Sequence, residues 1–359
     1  MTEAFSFREP LLNINHINLH AFSVSLLTVN GVSSSDAEII SHALVLADLR
    51  GHDTHGTSRL PSYISRIRAG VLNPSVTPSV TTVTPVVAQI DAHNGFGFIA
   101  SHKGIHWAIE AAMVYGIAMV SVKHSNHFGM SAWVCEEATK ADMMSMVFTN
   151  SSPALPAWGG KEKVLGCSPI ACGAPSGKSP AFILDFAPSV VARGKIYKAL
   201  RRGEKIPEGW ALDNEGKDTT DPSAALDGGT MLPMGGFKGA GLAVMMDAFS
   251  GVLSGSAFGG GVTGPYDTRK EADVGHFLVV VKPDLFMGLD EFKERMDMLY
   301  RSVVESQKKE GTDRIYFPGE IEQITRAERE EKGIPMVQAE IVALNEEAEL
   351  AGIEKLVAT

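Results

Sequence analysis

The run RGHDTHGTSR places His52 and His55 three apart, with Gly51 and Gly56 beside them and Arg59 four residues after His55. An imidazole near its ordinary pKa can carry a proton to or from a substrate oxygen at neutral pH. A guanidinium fork matches a carboxylate with two parallel hydrogen bonds. A 2-oxo or 2-hydroxy acid needs both groups close together. A second stretch, KHSNHFGMSAW (123–133), carries His124, Asn126 and His127 next to a glycine. Two histidine pairs also admit a metal-dependent hydrolase built on His52, His55, His124 and His127. Gly51 and Gly56 argue against one helical face for the first pair, and no HExxH is present, so the expectation is no metal. On these residues alone the plain reading stays open, in which the histidines cap or follow a helix and Arg59 is a solvated charge.

Three further stretches offer groups that hold anions. TNSSPALPAWGGKEKVLGCSPI (149–170) reads as a long loop rich in hydroxyls and backbone N–H groups. ILDFAPSVVARGK (183–195) puts Asp185 at a strand end and Ser189 in position to cap a helix. Asp185 could orient an imidazole or contact ribose hydroxyls. MGGFKGAG (234–241) sets Lys238 among glycines at a helix start, where free N–H groups suit a pyrophosphate. Gly95-x-Gly97-x-x-Ala100 imitates a dinucleotide fingerprint. It follows some 80 mostly helical residues and lacks the acidic partner about 20 residues on, so it reads as a tight turn packed against a helix.

These groups must be positioned by elements of alternating type. Residues 12–31 read as helical. SSDAEIISHALVLADLRG follows as a helix with Ser35 and Glu38 as a capping box and Gly51 as its stop, and RLPSYISRIRAG is a shorter one ending at Gly70. SVTTVTPVVAQIDA is rich in β-branched residues and reads as two strands. A helix (ASHKGIHWAIEAAMVYG), the strand IAMVSV, a helix near 131–141 and the strand MMSMVFTN come next. Beyond them lie the strand AFILDFA, the helix SVVARGKIYKAL, the apolar helix KGAGLAVMMDAFSGVLSG and the strand GHFLVVVK. FGGGVTGPYD (258–267) is a Gly-rich loop, either a mobile lid or, as the simpler reading, a connection. The tail is helical over 289–310, 321–332 and 338–356. This order predicts an α/β domain over 76–322 and a helical subdomain from residues 1–75 with 323–359.

The chain has 359 residues, 32 basic and 42 acidic side chains and a net charge of −10. That balance disfavours nucleic acid and anionic membranes as partners. It leaves room for a small anionic substrate, whose field is set by nearby groups. Three cysteines, Cys135, Cys167 and Cys172, are too few for a disulfide scaffold and suit a reducing compartment. MTEAFSFREP lacks a signal-peptide pattern and no apolar run reaches about 18 residues, so the expected location is the cytoplasm.

Taken in order, DTHGTSRLPSYISRIRAG, SNHFG, TNSSP…AWGG, LDFAPSVVARGKI, KGAGLAVMMDAFSGVLSG and FPGEIEQITRAEREEKGIP resemble the malate/L-lactate dehydrogenase family. That family lacks a Rossmann domain and includes ureidoglycolate and sulfolactate dehydrogenases, diketogulonate reductase and piperideine-carboxylate reductase. The resemblance spans nearly the whole chain. It implies an α/β fold with a mixed, largely antiparallel sheet, NAD or NADP as cofactor, and a homodimer. It implies that His55 and His127 are the candidate proton donors or acceptors and that Arg59 contacts the carboxylate. Ser151, Asp185, Phe186, Ala187, Phe237, Lys238, Gly319, Glu320 and Ile321 match stretches that line the cofactor. Asp185 keeps two candidate roles, catalytic orientation and cofactor contact.

Two departures stand out. GCSP (166–169) replaces the family's frequent GTNP, and Pro188 stands where many members have Thr, removing a backbone donor. Substrate choice stays open. Malate asks for a second cation, for which Arg50, Lys123 and Lys161 are candidates, whereas lactate asks for an apolar wall.

Overall fold

The computed structural model describes residues 11–358, so the N-terminal run MTEAFSFREP lies outside them. Seven strands form the main sheet, in the spatial order Ser79–Thr84, Val87–Asp91, Ile117–Ser125, Val274–Val281, Met144–Thr149, Ile170–Ala174 and Phe182–Phe186. Only Val87–Asp91 and Ile117–Ser125 pair in parallel, and the other pairings are antiparallel. The fold is therefore α/β with a mixed, mainly antiparallel sheet. Val274–Val281 (VGHFLVVV) is buried almost throughout because it runs mid-sheet. Helices Gly97–Tyr115 and Ala132–Lys140 cover one face of the sheet.

One apolar cluster runs from Ile14 through the helices at both ends of the described chain to Leu356, and takes in Ile90, Val120, Val147 and Leu278 of the sheet. A smaller cluster, with Leu155, Leu165, Ile196 and Met231, lies wholly within residues 154–243.

Several elements differ from their expected bounds, each for a local reason. The helix expected from residue 12 begins at His16, because Asn15 is extended and its side chain accepts from Ile17 N and Asn18 N. The residues before it, Leu11–Ile14, pair instead with Ile334–Val337 and join the two ends of the described chain. Helix Ser34–Leu49 is capped by Ser33, whose Oγ accepts from Asp36 N at 3.2 Å, rather than by Ser35. Gly51 does stop it, at φ +83. Residues 149–170, expected to be one loop, fold back as the hairpin Pro153–Pro156 with Lys163–Gly166. The helix expected from Ser189 starts at Arg193, with Ala192 as its cap. Ser189 is occupied by a bridge to Pro233.

The Gly95 turn does serve packing. A Cβ on Gly97 would lie 2.0 Å from the Asn126 carbonyl oxygen. Asn126 Nδ2 donates to Gly95 O at 2.9 Å and to Asn94 O at 3.1 Å. The false fingerprint thus seats the 124–129 loop that carries a candidate catalytic histidine.

Candidate active site

Two consecutive 3₁₀ turns, Asp53–His55 and Thr57–Arg59, join helix Ser34–Leu49 to helix Leu60–Arg68. Asp48 holds this double turn from beneath. Its Oδ2 accepts from Thr57 N at 2.9 Å and from Thr57 Oγ1 at 2.7 Å. Gly56 lies so close that a Cβ there would be 1.7 Å from Asp48 Oδ1. Burial pushes the Asp48 carboxyl up to about 7, against the pull of the two Thr57 hydrogen bonds. From the C-terminal region, Arg329 reaches both the Asp48 carbonyl and the Asp53 carboxylate.

Arg59 is tethered at one nitrogen only. Its Nε donates to Thr54 O at 2.6 Å, and this is its sole guanidinium hydrogen bond among the described residues. Its guanidinium carbon lies over the Tyr266 ring, 5.1 Å from the centroid. Both terminal nitrogens are thus left free to form a carboxylate fork.

His127 stacks on His55, with ring centroids 5.5 Å apart. Its Nδ1 lies 2.7 Å from the Tyr63 hydroxyl and 3.3 Å from Gly129 N. A backbone N–H can only donate, so Nδ1 accepts in the neutral ring and Nε2 carries the hydrogen. Among the described residues Nε2 has no hydrogen-bond partner. His55 is turned the other way, with Nδ1 2.9 Å from Thr54 Oγ1. Burial, then the Arg59 charge, lowers both imidazoles: His55 to about 3 and His127 well below the usual range. Burial likewise raises the Tyr63 phenol, which therefore stays protonated. Beneath them the buried His276 bridges Thr149 Oγ1 at 2.7 Å and Ser125 Oγ at 2.9 Å, and meets Phe128 edge to face. It thereby fixes the loop that carries His127.

The remaining polar candidates go elsewhere. His124 pairs with Asp273 through Nδ1 at 2.9 Å. His52 precedes the first 3₁₀ turn and acts electrostatically on Asp185. The four histidines therefore do not converge. Among the described residues no three His, Cys, Asp or Glu side chains are placed to hold a metal ion, and the hydrolase reading loses its site. Asp185 makes no hydrogen bond to either imidazole. Its Oδ2 accepts from Ala132 N at 2.8 Å, at the start of helix Ala132–Lys140. Burial raises its carboxyl, opposed mainly by His52. Of the three candidate second cations, Arg50 is buried in an ion pair with Glu136 and Lys123 lies 3.5 Å from Asp91. Lys161 is exposed and makes no ion pair among the described residues.

Two of the stretches matched to cofactor contacts meet, the chain after Phe186 and the start of helix Phe237–Asp247. Beyond strand Phe182–Phe186 the chain pairs with residues 232–234, with Met234 N donating to Pro188 O and Val190 N to Leu232 O, both at 2.9 Å. This sets Ala187 and Pro188 beside the start of helix Phe237–Asp247, where Lys238 is exposed. Pro188 lies outside the first turn of helix Arg193–Arg202, so its missing donor removes nothing from that helix end. Gly319, at φ +89, rests on the same strand, and a Cβ there would be 2.9 Å from Ile183 O. Ile321 beside it is exposed. Glu320 is turned inward, where its carboxylate accepts from Tyr300 OH and Phe317 N and pairs with Arg314. Ser151 Oγ accepts from Ser168 N at 3.1 Å. Helix Arg193–Arg202 meets the 53–59 double turn at Gly194, where a Cβ would be 3.3 Å from Thr54 Cγ2.

Sequence reading passed over four residues here. Tyr63 follows Arg59 by four, which on a helix places both on one face, and that signal was legible. Asp48 lay inside an apolar helix stripe with nothing to mark its partner. Tyr266 sits in a loop taken for a connection. Trp158 packs edge to face with Phe237, at 6.4 Å between centroids, and both rings are exposed.

The profile of the malate/L-lactate dehydrogenase family matches residues 14–345. Malate dehydrogenase of Pyrococcus abyssi is 36% identical over 355 residues, covering 97% of each chain. L-sulfolactate dehydrogenase of Methanocaldococcus jannaschii is 38% identical over 308 residues, covering 86% of this chain and 88% of its own. A solved structure of sulfolactate dehydrogenase from that organism superimposes with a TM-score of 0.89, covering 96% of this chain and 98% of its own at 36% identity.

Proposed function

The chain belongs to the malate/L-lactate dehydrogenase family and is an oxidoreductase acting on a hydroxy acid, and from that premise we propose that it interconverts a small 2-hydroxy acid and its 2-oxo acid with NAD or NADP. The observation that carries this reading is the Arg59 fork, left free at both terminal nitrogens beside two neutral imidazoles.

The residues near 187 and 238 fit a nicotinamide dinucleotide. Gly236, at φ +64, seats the exposed Trp158 indole, which a Cβ would meet at 2.9 Å. Phe237 and Lys238 add an aromatic face and a cation at a helix start. When bound, the nicotinamide supplies the hydride donor or acceptor. The chain does the rest. Arg59 holds the carboxylate, so that C2 is presented in one orientation. In reduction the charged His127 ring gives its Nε2 proton to the oxygen on C2 and is left as the neutral Nδ1–H tautomer, and in oxidation that tautomer takes the hydroxyl proton at Nε2. Tyr63 donates to Nδ1 of the resting ring and, by rotating its hydroxyl, accepts from Nδ1–H both in the charged ring and in the tautomer that takes the proton. Malate and lactate lead the substrate candidates. Sulfolactate, ureidoglycolate and cyclic imino acids are the alternatives on the same scaffold.

The purified chain is expected to oxidise NADH or NADPH when given one of the corresponding 2-oxo acids. A panel of 2-oxo acids, a cyclic imino acid and the ureidoglycolate oxidation product, each with both cofactors, checks this. Absence of turnover across the panel would remove the reading.

The proposed assembly is a homodimer. On the open face of the sheet, Val279 has Met119 and Met146 as its register partners, and Val281 has Ile117 and Met144. Those four outer side chains are exposed, as are Val252 and Leu253 at the edge of the helical turn that covers the rest of this face. An apolar sheet face of this extent favours a partner surface. Sedimentation equilibrium should give twice 38.4 kDa. A single 38.4 kDa species at micromolar concentration would contradict the dimer.

A further inference from the structure

The Gly-rich segment 258–267 is not a slack connection. Gly259 N donates to Asp247 Oδ2 at 2.7 Å, and Asn150 Nδ2 donates to Ala257 O at 2.7 Å. Gly264 to Asp267 closes a turn, with Asp267 N donating to Gly264 O at 3.0 Å. Pro265 occupies the second position of that turn, where its fixed φ favours the geometry, and Tyr266 the third. Arg66, a buried arginine two helical turns beyond Arg59, clamps the segment from below. It donates to the carbonyls of Gly264, Asp267 and Lys270, and to Val71 O and Asn126 Oδ1. The turn is thus fixed to the helix that carries Tyr63 and to the loop that carries His127.

What this rigid turn presents is one aromatic ring. Tyr266 is 72% exposed, yet its ring lies against the Arg59 guanidinium and its phenol lies within electrostatic reach of the Tyr63 hydroxyl. A side chain so exposed contributes little to the core. It stands where an acid held by Arg59 must carry its remaining substituent past the ring or into it. We propose that Tyr266 is the specificity-determining outer wall of the substrate site and limits the size of the group carried on C3. This rests on the 2-oxo acid reading above.

The test compares pyruvate, a four-carbon 2-oxo diacid and a branched six-carbon 2-oxo acid, using wild type, Tyr266→Phe and Tyr266→Ala. In Tyr266→Ala, kcat/KM for the branched acid relative to pyruvate should rise about tenfold or more, the scale on which apolar walls discriminate size. Tyr266→Phe should keep the wild-type ratio within about twofold, because the ring and not the hydroxyl forms the wall. Both variants should melt with wild type. An unchanged ratio in Tyr266→Ala overturns the proposal. So does an equal loss on every acid, since that would show only weakened support for Arg59. Wild type inactive on all three acids and on the wider panel would instead defeat the 2-oxo acid reading, so the two failures are distinguishable.

Discussion

Replacing His127 by Gln is expected to lower kcat by about 10²–10⁴, the usual contribution of a positioned acid or base, with KM little changed. The amide can still accept from Tyr63 and Gly129, so the loop keeps its shape while the titrating nitrogen is lost. His55→Gln should cost less in kcat, because the Nδ1 of His55 is engaged by Thr54 and its ring serves mainly as the surface on which His127 stacks. Equal kcat in wild type and His127→Gln would take His127 out of proton transfer and leave His55 as the remaining candidate.

The pH dependence should carry the same signature. Arg59 is the largest charge acting on both imidazoles, second only to burial in lowering them. A bound carboxylate neutralises that charge, so the imidazoles rise in the substrate complex. The acid-limb pKa should therefore be higher in the profile of kcat than in that of kcat/KM, since the first reports the complex and the second the free enzyme. A shift in the opposite sense would show that the carboxylate does not pair with Arg59.

How far the sequence carried this site depends on which interactions are local. Arg59 and His55 are four residues apart, and the flanking glycines mark a turn, so half of the constellation is visible in one line of text. Strand ends such as Asp185 and helix starts such as Lys238 follow from periodicity and breaking residues. The seven-stranded sheet was legible as strands, but its pairing was not. Val274–Val281 is inserted between two strands about 150 and 130 residues upstream, and nothing local encodes that order. The same limit hid Tyr266, which meets Arg59 across some 200 residues. It also hid the use of Asp185, whose carboxylate is taken up by Ala132 N. Position at a strand end was read correctly, whereas the partner of the side chain depends on a helix 53 residues away. Ser189 failed as a cap for a related reason. A long-range bridge to Pro233 claims it, and the helix begins four residues later.

Gly56→Ala should disable the enzyme more thoroughly than one added methyl group suggests, because Gly56 is buried. The backbone there is ordinary, with φ −92 and ψ −153, so alanine incurs no conformational strain. The cost arises solely from the methyl group, placed 1.7 Å from Asp48 Oδ1. Either the double turn lifts away or Asp48 is driven off Thr57. Overpacking of this kind costs about 1–3 kcal/mol of stability. A displacement of about 1 Å at His55 and Arg59 costs on the order of 10²-fold in kcat/KM. Asp48→Ala should itself be harmful, because Thr57 N and Oγ1 lose their acceptor. It also empties the space that the Gly56→Ala methyl needs, so the double variant should lose less than the sum of the single losses. Strict additivity in chemical denaturation would mean that the two residues do not share this contact. Asp48→Asn supplies an independent check through linkage. The folded-state pKa of Asp48 lies near 7 against an ordinary 3.8, so between those values the folded state binds the extra proton. The stability contribution of Asp48 is complete below about pH 4 and is lost as pH rises through 7. Asn does not titrate. The stability of wild type relative to Asp48→Asn should therefore fall from pH 4 to pH 7, by up to about 4 kcal/mol. A difference that stays flat over that range would place the Asp48 carboxylate in solvent contact and remove it as the buried support of the turn that carries His55 and Arg59.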